Sequence, residues 1–207
     1  MAEQGNLVPD QIGDAVNPAA ALNNLANRLT VLRLILVPLF IGAMWLYDVF
    51  EIAQWASAII FLGAALTDVA DGQIARKYNL VTNFGKIADP IADKLLVGSA
   101  FVLLSPDPIP WTITGIVLAR ELIVTIIRFL VIKRGVIPAS RGGKAKTLSQ
   151  TIAIVLLLIP TQLTGLLLGP IALTIAVVLT VVTGIDFCVK AFLLVRKASA
   201  QAPQEAM

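Results

Sequence analysis

The chain has 207 residues, of which 57% are hydrophobic and 14% charged, and its formal net charge is +3. In soluble domains about a quarter of all residues are usually charged, so this composition favours an integral membrane protein. The sequence has no histidine and one cysteine, Cys188. It therefore excludes an intrachain disulfide, a Ser–His–Asp triad and a histidine-ligated zinc site, and leaves catalysis to carboxylates, lysine, arginine and hydroxyl groups.

Six apolar stretches are each long enough to cross about 30 Å of hydrocarbon. In chain order we predict them near residues 29–50, 53–77, 86–105, 110–132, 147–168 and 170–195. The turn-forming segments Ser105–Pro110 and Gly169–Pro170 separate two neighbouring pairs of spans. The preceding residues, 1–21, are typical of a flexible arm and lack the apolar core of a signal peptide. We therefore predict an all-α integral membrane protein with six transmembrane helices in one domain, residues 22–197, followed by a short tail at 198–207.

Lysine and arginine are distributed unevenly over this topology. The loops after the first, third and fifth spans contain none, and the 16 basic residues lie on or near the other side. The loop after the fourth span is the most basic and contains Lys133, Arg134, Arg141, Lys144 and Lys146. Because short loops rich in lysine and arginine remain in the cytoplasm, we expect both termini to be cytoplasmic.

Apart from Asp48 at the end of the first span, six of the 13 acidic residues fall inside the predicted spans, where a charge is costly and usually functional. Asp68 and Asp71 are three residues apart on the second span, and Asp89 and Asp93 are four apart on the third. Each pair shares a helix face, and the short link between the spans lets both faces meet near the cytoplasmic boundary. Converging carboxylates need a countercharge, and oxygen ligands select hard cations. We therefore predict two divalent cations, Mg²⁺ or Mn²⁺, with Ca²⁺ allowed by ligand type.

Small residues and an arginine are interleaved with these aspartates. Gly72 and Ala75 follow Asp71, and Gly85 precedes the next acidic pair. Such small side chains allow a ligand or another helix to approach the backbone closely. Arg76 lies one turn after Gly72 and is suited to pair with a diphosphate. The alternative interpretations are ordinary helix packing for the small residues and a topological anchor for Arg76.

Residues 68–93, DVADGQIARKYNLVTNFGKIADPIAD, resemble the signature of the CDP-alcohol phosphotransferase family. All eight fixed positions are matched, by Asp68, Asp71, Gly72, Ala75, Arg76, Gly85, Asp89 and Asp93. The resemblance implies that the four aspartates bind a pair of divalent ions and that Asp93 is also the general base. It further implies that the glycines, the alanine and the arginine of the signature shape the CDP-lipid site. In the implied reaction an alcohol oxygen attacks the phosphorus that bears the diacylglycerol, and CMP leaves.

Other segments resemble the bacterial subgroup of this family whose acceptor is glycerol 3-phosphate. NLANRLTVLRLILVP at 24–38 is similar to its first span, with Ala26 where proline is usual, and the segments at 89–94, 119–121 and 143–150 are similar too. This likeness implies that Asn27 and Thr30 lie near the nucleotide. It implies an acceptor phosphate site formed by Arg120, Arg141, Lys144 and Lys146. It also implies a homodimer in the bacterial inner membrane, with its active site at the cytoplasmic face.

Two other functions remain open from the residues. The same chemistry could serve another acceptor, either phosphatidylglycerol, as in a cardiolipin synthase, or an inositol phosphate. A divalent-cation transporter would also need carboxylates inside the membrane, but its acids should cross the midplane, whereas these crowd one boundary. The basic residues of the fourth loop could likewise serve topology and attraction to anionic lipids. No feature of the sequence indicates a nucleic-acid partner.

Overall fold

The computed structural model describes the backbone of residues 25–77, 83–131 and 141–201, and the side chains of residues 29–67, 88–131, 142–160 and 167–196. All regular structure in these ranges is helical. The helices are α1 (Leu25–Trp45), α2 (Glu51–Lys77), α3 (Asn83–Leu103), α4 (Trp111–Val131), α5 (Arg141–Leu158) and α6 (Thr161–Gln201). The predicted all-α class is therefore confirmed over these residues. The predicted arm at 1–21 lies outside them, and α6 extends into the predicted tail.

The exterior of the helices is strongly apolar. Within α6 the segment Leu167–Arg196 has 30 residues and a mean hydropathy of 2.3, which makes it long and apolar enough to cross a membrane. The segments Leu29–Trp45 of α1 and Glu51–Thr67 of α2 are shorter apolar helices. Large side chains such as Phe129 and Phe192 are mostly exposed. Extended apolar surface of this kind is typical of contact with lipid or with another protein.

The helices pack around a core of aromatic and small residues. Phe40 of α1 and Phe61 of α2 are fully buried, and their ring centroids are 5.6 Å apart. Buried alanines, including Ala64, Ala100 and Ala153, allow neighbouring helix backbones to approach closely. Helix α1 packs mainly against α2, and α5 against α6, while α3 contacts α1, α2, α4 and α5. Helix α3 thus has neighbours on several sides, and its residues Asp89 and Asp93 are only partly exposed.

The boundary between the last two helices differs from the sequence prediction. The Gly169–Pro170 pair was expected to separate the last two spans, but α6 continues through it, and the chain breaks at Ile159–Pro160 instead. Pro160 has no backbone N–H to continue the hydrogen-bond pattern of α5. Gly169 has a packing role, because a Cβ atom there would lie 2.6 Å from Leu157 Cδ2. A larger residue at this position would require the Leu157 side chain to move.

Candidate active site

The four predicted metal ligands lie at the same end of the α2–α3 pair, around the connection between the two helices. Asp89 and Asp93 of α3 have described side chains. The side chains of the other predicted ligands and most nucleotide-site residues lie outside the described set, namely Asp68, Asp71, Gly72, Ala75, Arg76, Gly85 and Asn27. Among the described side chains no group of three or more His, Cys, Asp and Glu could hold a metal ion. The four-aspartate metal site therefore stays a prediction.

Asp89 is connected to α1 by a hydrogen bond. The hydroxyl of Thr30 donates to Asp89 Oδ1 at 2.6 Å. Thr30 is only 1% exposed, so water does not compete effectively for this bond. Arg33, three residues further along α1, is fully buried. The polar face of α1 is therefore inside the protein and positions one oxygen of Asp89.

A cavity of about 180 Å³ lies between α3, α4 and α5. Its polar lining consists of Asp93, Lys94, Glu121, Lys146, Thr147 and Gln150. The remaining lining is apolar or glycine and comprises Val97, Gly98, Val117 and Leu118. One water molecule takes up about 30 Å³ in the liquid, so the cavity has room for a small polar molecule. The fold thus brings together two of the predicted site residues, the carboxylate of Asp93 and the ammonium group of Lys146.

Glu121 is the centre of an ion-pair network at the edge of this cavity. Lys146 Nζ donates to Glu121 Oε1, and Arg120 Nη1 donates to the same oxygen at 2.9 Å. Lys146 is 6% exposed, and a buried ammonium group is costly without such a partner. Arg120 also donates from Nε to the carbonyl of Thr180 at 3.1 Å and from Nη2 to Thr183 Oγ1 at 3.0 Å. The described contacts of Arg120 therefore run to Glu121 and to α6.

Two further lysines lie near the cavity in different environments. Lys94 is exposed and donates from Nζ to Thr125 Oγ1, which in turn donates to the carbonyl of Glu121 at 2.6 Å. Lys144 is exposed near the start of α5, two residues before Lys146 and therefore on another face of the helix. The side chain of Arg141, the first residue of α5, lies outside the described set. Of the three predicted acceptor-phosphate residues whose side chains are described, Arg120, Lys144 and Lys146, it is Lys146 that lines the cavity.

The sequence pattern did not single out several residues of this site. Neither Glu121 nor Gln150 was assigned to the site. Gln150 is buried and donates from Nε2 to Thr180 Oγ1 at 3.0 Å. Its position could have been inferred, because it lies four residues after Lys146 and shares the same helix face. No comparable helical spacing indicates that Lys94 lines the cavity, because this depends on how α3 is rotated relative to α4.

Comparison with known proteins defines the class of this protein. Residues 23–182, from the start of α1 into α6, match the CDP-alcohol phosphatidyltransferase family. The chain belongs to this family. It is 44% identical over 177 residues to the probable phosphatidylglycerophosphate synthase of Mycobacterium tuberculosis, covering 83% of each chain. It is 40% and 39% identical to the CDP-diacylglycerol–glycerol-3-phosphate 3-phosphatidyltransferases of Rickettsia felis and Bacillus subtilis, covering 79% of this chain and 93% of each of those. The family predicted from the signature is confirmed.

Proposed function

We propose that this protein transfers a phosphatidyl group from CDP-diacylglycerol to glycerol 3-phosphate, forming phosphatidylglycerophosphate and CMP. Relatives at 39–44% identity are named for this reaction or its product, and they align with most of the chain. The observation that carries the proposal is the cavity between α3, α4 and α5. It contains a carboxylate, Asp93, for the reacting hydroxyl and an ammonium group, Lys146, for the phosphate of the acceptor.

The reaction depends on divalent cations in this proposal, as it does in the family generally. The acidic set fits such ions, since Asp68, Asp71, Asp89 and Asp93 offer oxygen donors alone, and these select hard cations. We assign two Mg²⁺ or Mn²⁺ ions to these four aspartates. When bound, such ions neutralise phosphoryl oxygens and acidify a hydroxyl. Thr30 supports this assignment, because its hydrogen bond to Oδ1 fixes the orientation of the Asp89 carboxylate.

The protein groups then have distinct tasks. Asp93 accepts the proton of the acceptor hydroxyl while the hydroxyl oxygen attacks the phosphorus that bears the diacylglycerol. The bond between this phosphorus and the CMP oxygen then breaks. The Lys146 ammonium has three N–H donors and uses one on Glu121, so donors remain for the acceptor phosphate. Arg120, Arg141 and Lys144 add positive charge around this position. The donor nucleotide is assigned to a separate set, comprising Asn27, Thr30, Gly72, Ala75, Arg76 and Gly85.

For the whole chain we propose the domain bounds, topology and assembly inferred from the sequence. The membrane domain spans residues 22–197 between the N-terminal arm and the tail. All six helices span the bacterial inner membrane, with both termini and the active site on the cytoplasmic side, because lysine and arginine are concentrated there. The proposed assembly is a homodimer through membrane helices. A CDP-lipid would keep its acyl chains in the bilayer while its nucleotide reaches the aqueous boundary.

The purified protein tests this function in an acceptor comparison. It is supplied with CDP-diacylglycerol, Mg²⁺ and either glycerol 3-phosphate, phosphatidylglycerol or an inositol phosphate, and CMP release is measured. We expect turnover with glycerol 3-phosphate and its loss on chelation of the metal. Asp93→Asn should lower kcat by at least about 100-fold, the range of general-base catalysis. The matched control Asp186→Asn removes an exposed carboxylate paired with Lys190 at 2.6 Å and should leave kcat unchanged. Turnover with phosphatidylglycerol alone would refute the assignment.

A further inference from the structure

The two carboxylate oxygens of Glu121 differ in their contacts with the described side chains. Both Lys146 and Arg120 donate to Oε1. Within the part of the chain whose side chains are described, Oε2 accepts no hydrogen bond. The side chain is 23% exposed and lines the cavity together with Asp93. A carboxylate oxygen in such a partly enclosed position is a strong acceptor for a ligand hydroxyl.

The position of this carboxylate is fixed by Arg120. The guanidinium spends three of its five N–H donors on the protein, and two of these bind Thr180 and Thr183 of α6. Gly184 provides the space for the arginine stem, because a Cβ atom at this position would lie 3.0 Å from Arg120 Cγ. Glu121 is therefore held in one orientation before any ligand binds. Such preorganisation lowers the entropic cost of binding and raises selectivity.

We propose that Glu121 selects the acceptor by accepting a hydrogen bond from the C2 hydroxyl of glycerol 3-phosphate. This inference rests on the proposed function and deepens it. The acceptor carries three polar groups, a phosphate, a secondary hydroxyl and the reacting primary hydroxyl. The cavity offers three groups of matching chemistry in Lys146, Glu121 and Asp93. Lys146 binds the phosphate, Asp93 receives the proton of the reacting hydroxyl, and Glu121 binds the hydroxyl between them.

The effect on selectivity follows from the cost of an unpaired polar group. An acceptor without the C2 hydroxyl would enclose Glu121 Oε2 without giving it a donor. Sites built to bind a hydroxyl reject analogues that lack it much more strongly than apolar pockets reject a missing methylene. For a charged acceptor oxygen the expected loss in kcat/KM is about 10- to 100-fold.

The test compares glycerol 3-phosphate with 3-hydroxypropyl phosphate, which has the same phosphate and primary hydroxyl but no C2 hydroxyl. The measured quantity is the ratio of their kcat/KM values, which does not depend on the fraction of active enzyme. We expect a ratio of about 10–100 for the wild-type protein. It should fall close to one in Glu121→Met, which keeps the length of the side chain but has no oxygen. Lys146→Met should lower both kcat/KM values and retain the ratio, because both acceptors carry the phosphate.

The outcomes separate this role from the function on which it rests. Equal use of the two acceptors by the wild-type protein would overturn the role of Glu121 and leave the proposed function intact. A ratio that survives in Glu121→Met would overturn it as well. If Glu121→Met does not accumulate in the membrane, Glu121→Gln gives the same test with an intermediate ratio, since a neutral amide accepts a weaker hydrogen bond. Failure of the wild-type protein to use either acceptor would refute both proposals.

Discussion

Gly184→Ala should disturb the site without removing any of its functional groups. The new Cβ atom would lie 3.0 Å from Arg120 Cγ and 3.1 Å from Arg120 Nε. Carbon atoms in favourable contact are about 3.5–4.0 Å apart, so the arginine stem must retreat by at least about half an ångström. Its guanidinium is bound to Thr180 and Thr183 on the same helix as Gly184, so this retreat strains those hydrogen bonds.

The expected magnitude combines two opposing terms. Overpacking of a well-packed site costs about 1–3 kcal/mol. Replacing glycine by alanine within a helix returns roughly 0.5–1 kcal/mol. The balance is a destabilisation of up to about 2.5 kcal/mol, with a central value of about 1 kcal/mol. Because Arg120 holds Glu121, the KM for glycerol 3-phosphate should rise by about three- to tenfold, since sub-ångström misplacement of a binding group already weakens catalysis. The KM for CDP-diacylglycerol should change less.

Gly115→Ala is the matched control, because Gly115 lies on α4 with Arg120 and a Cβ atom there meets nothing within 4 Å. Thermal unfolding in detergent micelles and the KM for each substrate are measured for both variants. The control should be as stable as the wild-type protein or slightly more stable, with unchanged KM values. If Gly184→Ala behaves like the control in both measurements, the inferred contact between Gly184 and Arg120 has no energetic consequence and the reasoning fails.

Two other substitutions test other contacts of the fold. Thr30→Val removes the hydrogen bond to Asp89 with little change in shape. The Mg²⁺ concentration for half-maximal activity should therefore rise by about tenfold, as is typical when a hydrogen bond to a metal ligand is lost. An unchanged metal titration would contradict this. Gly169→Ala should destabilise the protein by about 1–3 kcal/mol, because the new Cβ atom would overlap Leu157. Adding Leu157→Ala should recover part of this loss. Thermal unfolding of the double variant measures the coupling between the two positions.

The sequence was sufficient for the features that depend on local spacing. Helical period and apolar length predict the helices, and the backbone around Asp68, Asp71, Asp89 and Asp93 is helical as expected. Gly169–Pro170 was misinterpreted as a turn because glycine and proline are the usual turn formers. Gly169 instead faces Leu157, and this reason for a glycine becomes visible only when the partner helix is known.

The proposed acceptor site shows a different limit of sequence-based prediction. Arg120 and Lys146 were expected to share one task, because the likeness to the bacterial subgroup implies that both meet the acceptor phosphate. The structure gives them different surroundings, since Lys146 lines the cavity while Arg120 contacts α6 and Glu121. A helical repeat specifies which residues share a face. It does not specify the rotation of α4 relative to α5 and α6, and that rotation decides which cation meets the cavity.

The ion pair between Glu121 and Lys146 also has a consequence for how the protein is assembled in the membrane. The lysine near the start of α5 is enclosed by the protein, and its charge is compensated by a residue of α4. Inserted alone, α5 would bring the uncompensated charge of Lys146 toward the apolar phase, whereas Glu121 of α4 would keep Arg120 as its partner. The two helices are therefore most stable when they are docked together, and docking also completes the cavity between α3, α4 and α5. A chain in which α4 and α5 have not docked lacks this cavity, so under the proposed function it would be inactive.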